Sequence, residues 1–194
     1  MIKAIVFDYF GVIVEDSVVF KWIRKNISNP EPNMQGINEG VAKWDIGEIE
    51  YSDFNNILSQ NTGIPADKIF HTFFENITIY QDTIELIKSL KKNYKIILFS
   101  NGPKENPYQM LRNQNIENLF DEIIISAEHK MAKPDPKFYE HMLSIGKIDA
   151  SEAIFIDDRQ INVDAAANIG IKSFQFTDAA TLKNDLVNFG IKIE

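Results

Sequence analysis

Residues 4–16 read AIVFDYFGVIVED. A continuous apolar run ends on Asp8, and a second apolar run resumes at Val12 after Gly11. Near-continuous Ile, Val and Phe over four to six residues fits a strand covered on both faces, as in a parallel sheet. Four more runs share that pattern: KIILFS at 95–100, EIIIS at 122–126, AIFID at 153–157 and KSFQF at 172–176.

Helical signals separate the last four runs. Asp82 is placed to N-cap a helix carrying Ile84, Ile87 and Leu90 on one side. Asp135 followed by Pro136 reads as a cap plus a first-turn proline, opening a helix with Phe138, Tyr139, Met142 and Leu143. Residues 161–169 and 181–189 supply two further helices. This alternation predicts an α/β fold with a doubly wound, five-stranded parallel sheet.

About eighty residues lie between the first and second runs, far more than one crossover needs. They carry three apolar stripes at helical spacing: Val18, Val19, Trp22, Ile23 and Ile27; then Phe54, Ile57 and Leu58; then Ile69, Phe70, Phe73, Phe74 and Ile77. We expect a small helical domain over 15–79, inserted into an α/β core made of 1–14 and 80–194.

Composition narrows the function classes. The 194 residues carry a formal net charge of -8, and an acidic surface repels phosphate backbones and anionic lipid. Nucleic acid and membrane are therefore not the expected partners. A small anionic substrate remains compatible, because a local cation or bound metal reverses the field inside one pocket. There is no cysteine, which excludes disulfides and thiolate metal sites. With no secretion signal or membrane-spanning run, the expected location is the cytoplasm. Oligomeric state, monomer or homodimer, is not legible.

In open α/β sheets, ligands bind beyond the carboxyl ends of the strands. Here the first run ends in Asp8, the second in Ser100-Asn101-Gly102 and the fourth in Asp157-Asp158, while the loop after the third carries Lys133-Pro134. Each has an ordinary structural explanation: a turn cap, a turn dipeptide, a solvated lysine, a helix cap. Their joint order and position are harder to obtain by chance.

The stretches VFDYFGVIV, ILFSNG, KPDPKFYEHML and IFIDDRQINVDAA, together with WDIGEIEYSDF at 44–54, resemble the motifs of the haloacid dehalogenase superfamily. The resemblance is to its phosphatases with a helical cap inserted after the first motif, and it covers essentially the whole chain. It implies that Asp8 is a nucleophile forming an aspartyl-phosphate. Ser100 and Asn101 would bind the phosphoryl oxygens, and Lys133 would bring a fixed cation to the same group. Asp157 and Asp158 would hold Mg²⁺ together with Asp8 and the Phe10 backbone carbonyl. Asn162 would orient the Asp158 carboxylate. The implied substrate is a small phosphorylated metabolite.

One position departs from the pattern. Most phosphatases of the superfamily carry an Asp two residues beyond the nucleophile, which protonates the leaving oxygen and then activates water. This chain has Phe10. A positioned acid/base contributes about 10²–10⁴-fold, so its loss implies a slow or substrate-restricted phosphatase favouring leaving groups that depart unaided. A hydrolytic 2-haloacid dehalogenase, which also carries an aromatic there, and a catalytically silent phosphoryl-binding protein are the alternatives. The dehalogenases lack the acidic pair that Asp157-Asp158 retains, and they use an Arg soon after the first motif, whereas Arg24 is the first here.

The remaining candidates have bland readings. His71 and His141 are surface or packing residues, and His129 sits in the loop before Lys133, expected to face solvent, with the pocket edge as the alternative. Arg159 faces water. Glu15 and Asp16 form the hinge into the insertion or its first N-cap; the alternative is that one of them, or a residue lowered from the cap, stands in for the missing acid. Trp44 and Asp45 are either specificity contacts or, for Trp44, core.

Overall fold

Residues 1–15, 18–27, 34–69, 77–104 and 107–194 are described by the structure, a computed structural model. Five parallel strands form one sheet: β1 (Ala4–Phe7), β2 (Lys95–Ser100), β3 (Glu122–Ile125), β4 (Ala153–Asp157) and β5 (Lys172–Gln175). Their order is β3-β2-β1-β4-β5, so β1 is central and the chain switches direction across it. Ligand sites of such sheets lie at that switch point.

The unbroken apolar runs are explained by burial on both faces. Ile5 and Phe7 of β1 point into one apolar layer, with Ile87, Leu90 and Leu186. Ala4 and Val6 point into the opposite layer, with Phe138, Met142 and Ala166. Helices α5 (Gln81–Leu90), α6 (Pro107–Asn113) and α10 (Ala179–Asn188) cover the first face, and α8 (Pro136–Gly146) and α9 (Gln160–Asn168) cover the second. Asp135 caps α8 as expected, accepting from the Lys137 amide at 3.0 Å, with Pro136 at its start.

Three local expectations are corrected. Strand β5 is an edge and only half-covered, with Lys172 lying over the Phe174 and Phe189 rings. Tyr80, not Asp82, is the N-cap of α5; its extended backbone starts the helix, and Asp82 falls in the first turn, where its charge complements the helix dipole. A helix over 34–45 was not anticipated.

Between β1 and β2 the described helices are α1 (Val18–Asn26), α2 (Met34–Asp45), α3 (Tyr51–Thr62) and the short α4 (Ala66–Ile69). They bury an apolar cluster of their own, with Trp22, Ile37, Trp44, Phe54, Leu58 and Ile69. Phe70, Phe73, Phe74, His71 and Asp16 lie outside the described residues. Two chain segments connect this cluster to the sheet side by side: Glu15 N–H donates to the Thr78 carbonyl, and Val14 bridges Ile79. Among the described residues no helix is long and apolar enough to cross a membrane.

Candidate active site

Register places the site. Phe7 pairs with Ile156, so Asp8 and Asp157 leave the sheet at the same level, and the Asp8 amide donates to the Ile156 carbonyl at 2.9 Å. After Asp8 the chain turns sharply: Ile13 and Val14 amides both donate to the Tyr9 carbonyl, which leaves the Phe10 carbonyl outside those bonds. Gly11 permits the turn for two reasons. Its φ is +79°, and a Cβ there would stand 2.5 Å from the Asp158 carboxyl carbon.

Lys133 is brought in from the loop after β3 and α7 (Ser126–His129). Its ammonium lies 2.9 Å from Asp8 Oδ1 and 2.6 Å from Asp157 Oδ2. The Phe99 and Phe155 rings flank it, with centroids at 5.5 and 5.4 Å. Burial works to lower the Lys133 pKa, but the two carboxylates outweigh it and hold the ammonium charged.

Asn101 and Asn162 have different jobs from those expected of them. The Asn101 amide donates to the Lys133 carbonyl at 2.9 Å and accepts from the Lys133 amide at 2.8 Å. Its side chain therefore clamps the lysine loop instead of facing the substrate. Asn162 donates to both Asp157 oxygens at 3.0 Å, so it orients Asp157 and not Asp158. Asp157 also accepts the Arg159 amide at 2.9 Å. The Arg159 side chain is exposed, as expected. Ser100 is buried at the end of β2, with its hydroxyl donating to the Asn101 carbonyl at 3.2 Å.

Asp8, Asp157 and Asp158 each offer a carboxylate oxygen within 4.8 Å of the others. Three carboxylates face one buried ammonium, so the cluster is two charges negative once all three are ionised, as they are when a cation is bound. Burial pushes the Asp8 carboxyl up to about 8, with Lys133 pulling against it and Asp157 adding to it. An all-oxygen donor set with this charge deficit suits a hard divalent cation such as Mg²⁺. Asp157 is already filled by Lys133, Asn162 and the Arg159 amide, which leaves Asp8 and Asp158 as the carboxylates of the group with capacity for an ion. Next to Gly11 lies a cavity of about 560 Å³, lined by Tyr80, Asp82, Thr83, Phe176 and Asp178 among others.

One residue was overlooked. Ser126, at the end of the third run, accepts the Gly102 amide at 2.9 Å and donates to the Asp45 carbonyl. Asp45, expected with Trp44 as a specificity contact, is tied by that carbonyl to the residue after β3, while Trp44 turns away into the helical cluster, stacked on Phe54 at 4.5 Å. Glu15 is spent on Lys21 and the Thr78 amide. His129 is not the solvent-facing loop residue expected: it ends α7, half-buried, 3.0 Å from His141.

Residues 2–170 match a family described as haloacid dehalogenase-like hydrolase. A sesquiterpene phosphatase of Aspergillus oryzae is 31% identical over 185 residues, 91% of each chain. A D-ribitol-5-phosphate phosphatase of Bacteroides thetaiotaomicron is 23% identical over 205 residues, 96% of this chain and 97% of that one. Among solved structures, a haloacid dehalogenase family enzyme from Bacteroides thetaiotaomicron, in complex with magnesium and inorganic phosphate, superposes with a TM-score of 0.74 at 23% identity, covering 92% of this chain and 96% of its own. L-2-haloacid dehalogenase from Xanthobacter autotrophicus, with chloropropionic acid covalently bound, superposes with a TM-score of 0.70 at 20% identity, covering 99% and 85%. At these identities the structural matches speak for the fold alone.

Proposed function

The chain belongs to the haloacid dehalogenase-like hydrolases, and from that premise we propose that it is a magnesium-dependent phosphatase of a small phosphomonoester. The observation that carries this is the convergence of Asp8, Lys133, Asp157 and Asp158 at the carboxyl ends of the central strands. Phosphoryl transfer needs positioning and charge stabilisation more than covalent chemistry, and this cluster is built for both. The two relatives named as phosphatases, each aligned over nine-tenths or more of both chains, support the reaction class. Their substrates, a terpenoid and a sugar alcohol by name, differ too much to assign one here.

In this reading Asp8 attacks phosphorus and carries the phosphoryl group as an acyl phosphate before water releases it. Lys133 holds one positive charge against the equatorial oxygens and against Asp8. Asp157 fixes the Lys133 ammonium in turn, and Asn101 fixes its backbone. Ser100 lines the end of β2, where its hydroxyl turns from the Asn101 carbonyl to a phosphoryl oxygen. A magnesium ion, when bound by Asp8, Asp158 and the Phe10 carbonyl, supplies the positive charge the cluster lacks. Residues 15–79 serve as the cap, hinged where segments 14–15 and 78–79 run together, and its closure excludes water.

Phe10 leaves the leaving oxygen without a proton donor at that position, so turnover is expected to be slow or restricted in substrate unless another side chain supplies the proton. Purified protein with Mg²⁺ should hydrolyse p-nitrophenyl phosphate, lose that activity in EDTA, and lose it in Asp8→Asn. Chloride release from 2-chloropropionate in EDTA, without phosphatase activity, would instead identify a dehalogenase.

A further inference from the structure

We propose that Asp45 supplies the proton that the leaving oxygen needs, so that a carboxyl group from the helical insertion does what Phe10 cannot. The proposal rests on the phosphatase reading above and adds a catalytic residue to it.

Placement is the first argument. Asp45 closes α2, and its carbonyl accepts the Ser126 hydroxyl, whose oxygen in turn accepts the Gly102 amide. Gly102 is where the Phe10 ring rests: a Cβ on that glycine would lie 3.9 Å from the ring edge. The Phe10 ring and, through the Ser126 hydroxyl, the Asp45 backbone thus reach the same glycine, two residues after Ser100. The turn cannot slide away, because Gly47, at φ +65°, sits where a Cβ would come within 2.7 Å of the Ala127 carbonyl.

Availability is the second. The Asp45 carboxylate is half-buried, yet it has no hydrogen bond or ion pair among the described residues. A carboxylate withdrawn from water without a partner is costly, and such groups concentrate at functional sites. The charged groups that act on it are Arg159 and Lys133. Burial pushes its carboxyl up to about 7, against the pull of both cations. An acid poised near neutrality is the most effective donor and acceptor. The other candidates are committed: Glu15 to the hinge, Asp157 to four hydrogen bonds, His129 to His141.

In the first step Asp8 oxygen bonds to phosphorus, and the bond from phosphorus to the ester oxygen breaks. Its electron pair stays on that oxygen, which takes the Asp45 proton and leaves as the alcohol. In the second step Asp45, now a carboxylate, takes a proton from water as the water oxygen bonds to phosphorus. The bond from phosphorus to Asp8 oxygen breaks, inorganic phosphate leaves, and both side chains return to their starting states.

The test compares kcat/KM for p-nitrophenyl, phenyl and ethyl phosphate in wild type, Asp45→Asn, and Asp45→Asn combined with Phe10→Asp. Asp45→Asn should lose about 10²–10⁴-fold on ethyl phosphate and less than about tenfold on the p-nitrophenyl ester. The added Phe10→Asp should restore much of the loss on ethyl phosphate. An equal loss on all three esters, a loss confined to KM, or no loss would overturn the assignment, as would wild type that turns over only the p-nitrophenyl ester. Wild type inactive on every ester with Mg²⁺ would defeat the phosphatase reading itself, a result distinct from these.

Discussion

The floor of the site and the turn above it are held in opposite ways. On the floor, Asp157 is saturated: Lys133, the Arg159 amide and two contacts from Asn162 fill both its oxygens. Above, Asp45 is anchored only through its backbone, and its carboxylate is left unpartnered among the described residues. In the proposed reaction the floor meets parts that never vary, a phosphoryl group and a cation, and can be fixed in advance. The upper turn, in the same proposal, meets the leaving group, and its unspent hydrogen-bonding capacity is what would handle substrate and proton.

Deleting a floor residue should therefore cost both stability and activity. Lys133→Ala strands two buried carboxylates, and losing one partner of such a pair costs about 3–5 kcal/mol. At about 2–4 °C per kcal/mol for a chain of this size, the melting temperature should fall by about 6–20 °C, with kcat down about 10²-fold or more. A Lys133→Ala protein that melts with wild type would break the contrast. Asp158→Asn should fold but lose its response to the metal. Mg²⁺ at 100 times its dissociation constant should stabilise wild type by about 2.7 kcal/mol and the variant by far less, read from melting curves.

The upper turn should show itself in pH dependence, not in stability. Asp45 has a raised pKa, so its carboxyl keeps the proton up to about pH 7 and loses it above. The ratio of kcat/KM for ethyl over p-nitrophenyl phosphate should therefore be full below that pH and fall above it, because Asp8 and Lys133 serve both esters and cancel. A ratio flat with pH would contradict the contrast. The smallest effect is expected at the hinge: Glu15→Gln loosens an ion pair with Lys21 at the surface and should cost less than about 1 kcal/mol in a denaturant titration.

What was legible in the sequence follows the same division. The strands announced themselves because burial on both faces demands unbroken apolar runs, and the run AIFID ends within the sheet at Asp157. Asp8 and the acidic pair were readable because each sits at a strand end or just beyond, and Lys133 because KPDPKFYEHML marks it in the loop after the third strand. The roles of Asn101 and Asn162 were not, since an amide's partner depends on loops that meet only in three dimensions. Helix α2 was missed although Ile37, Gly40 and Trp44 mark one face, because two glycines and several polar residues dilute its pattern. Asp45 was marked only as a specificity contact beside Trp44: nothing in the sequence says that Trp44 turns into its own cluster while the Asp45 backbone is tied to Ser126 at the end of β3.

Acid-quenching the protein during turnover of a phosphomonoester in Mg²⁺, followed by mass spectrometry of the peptide spanning residues 4–21, tests the central claim most directly. The account predicts one phosphoryl group on Asp8, absent from Asp8→Asn. Steady turnover with that peptide unmodified, or the group on another side chain, would contradict it.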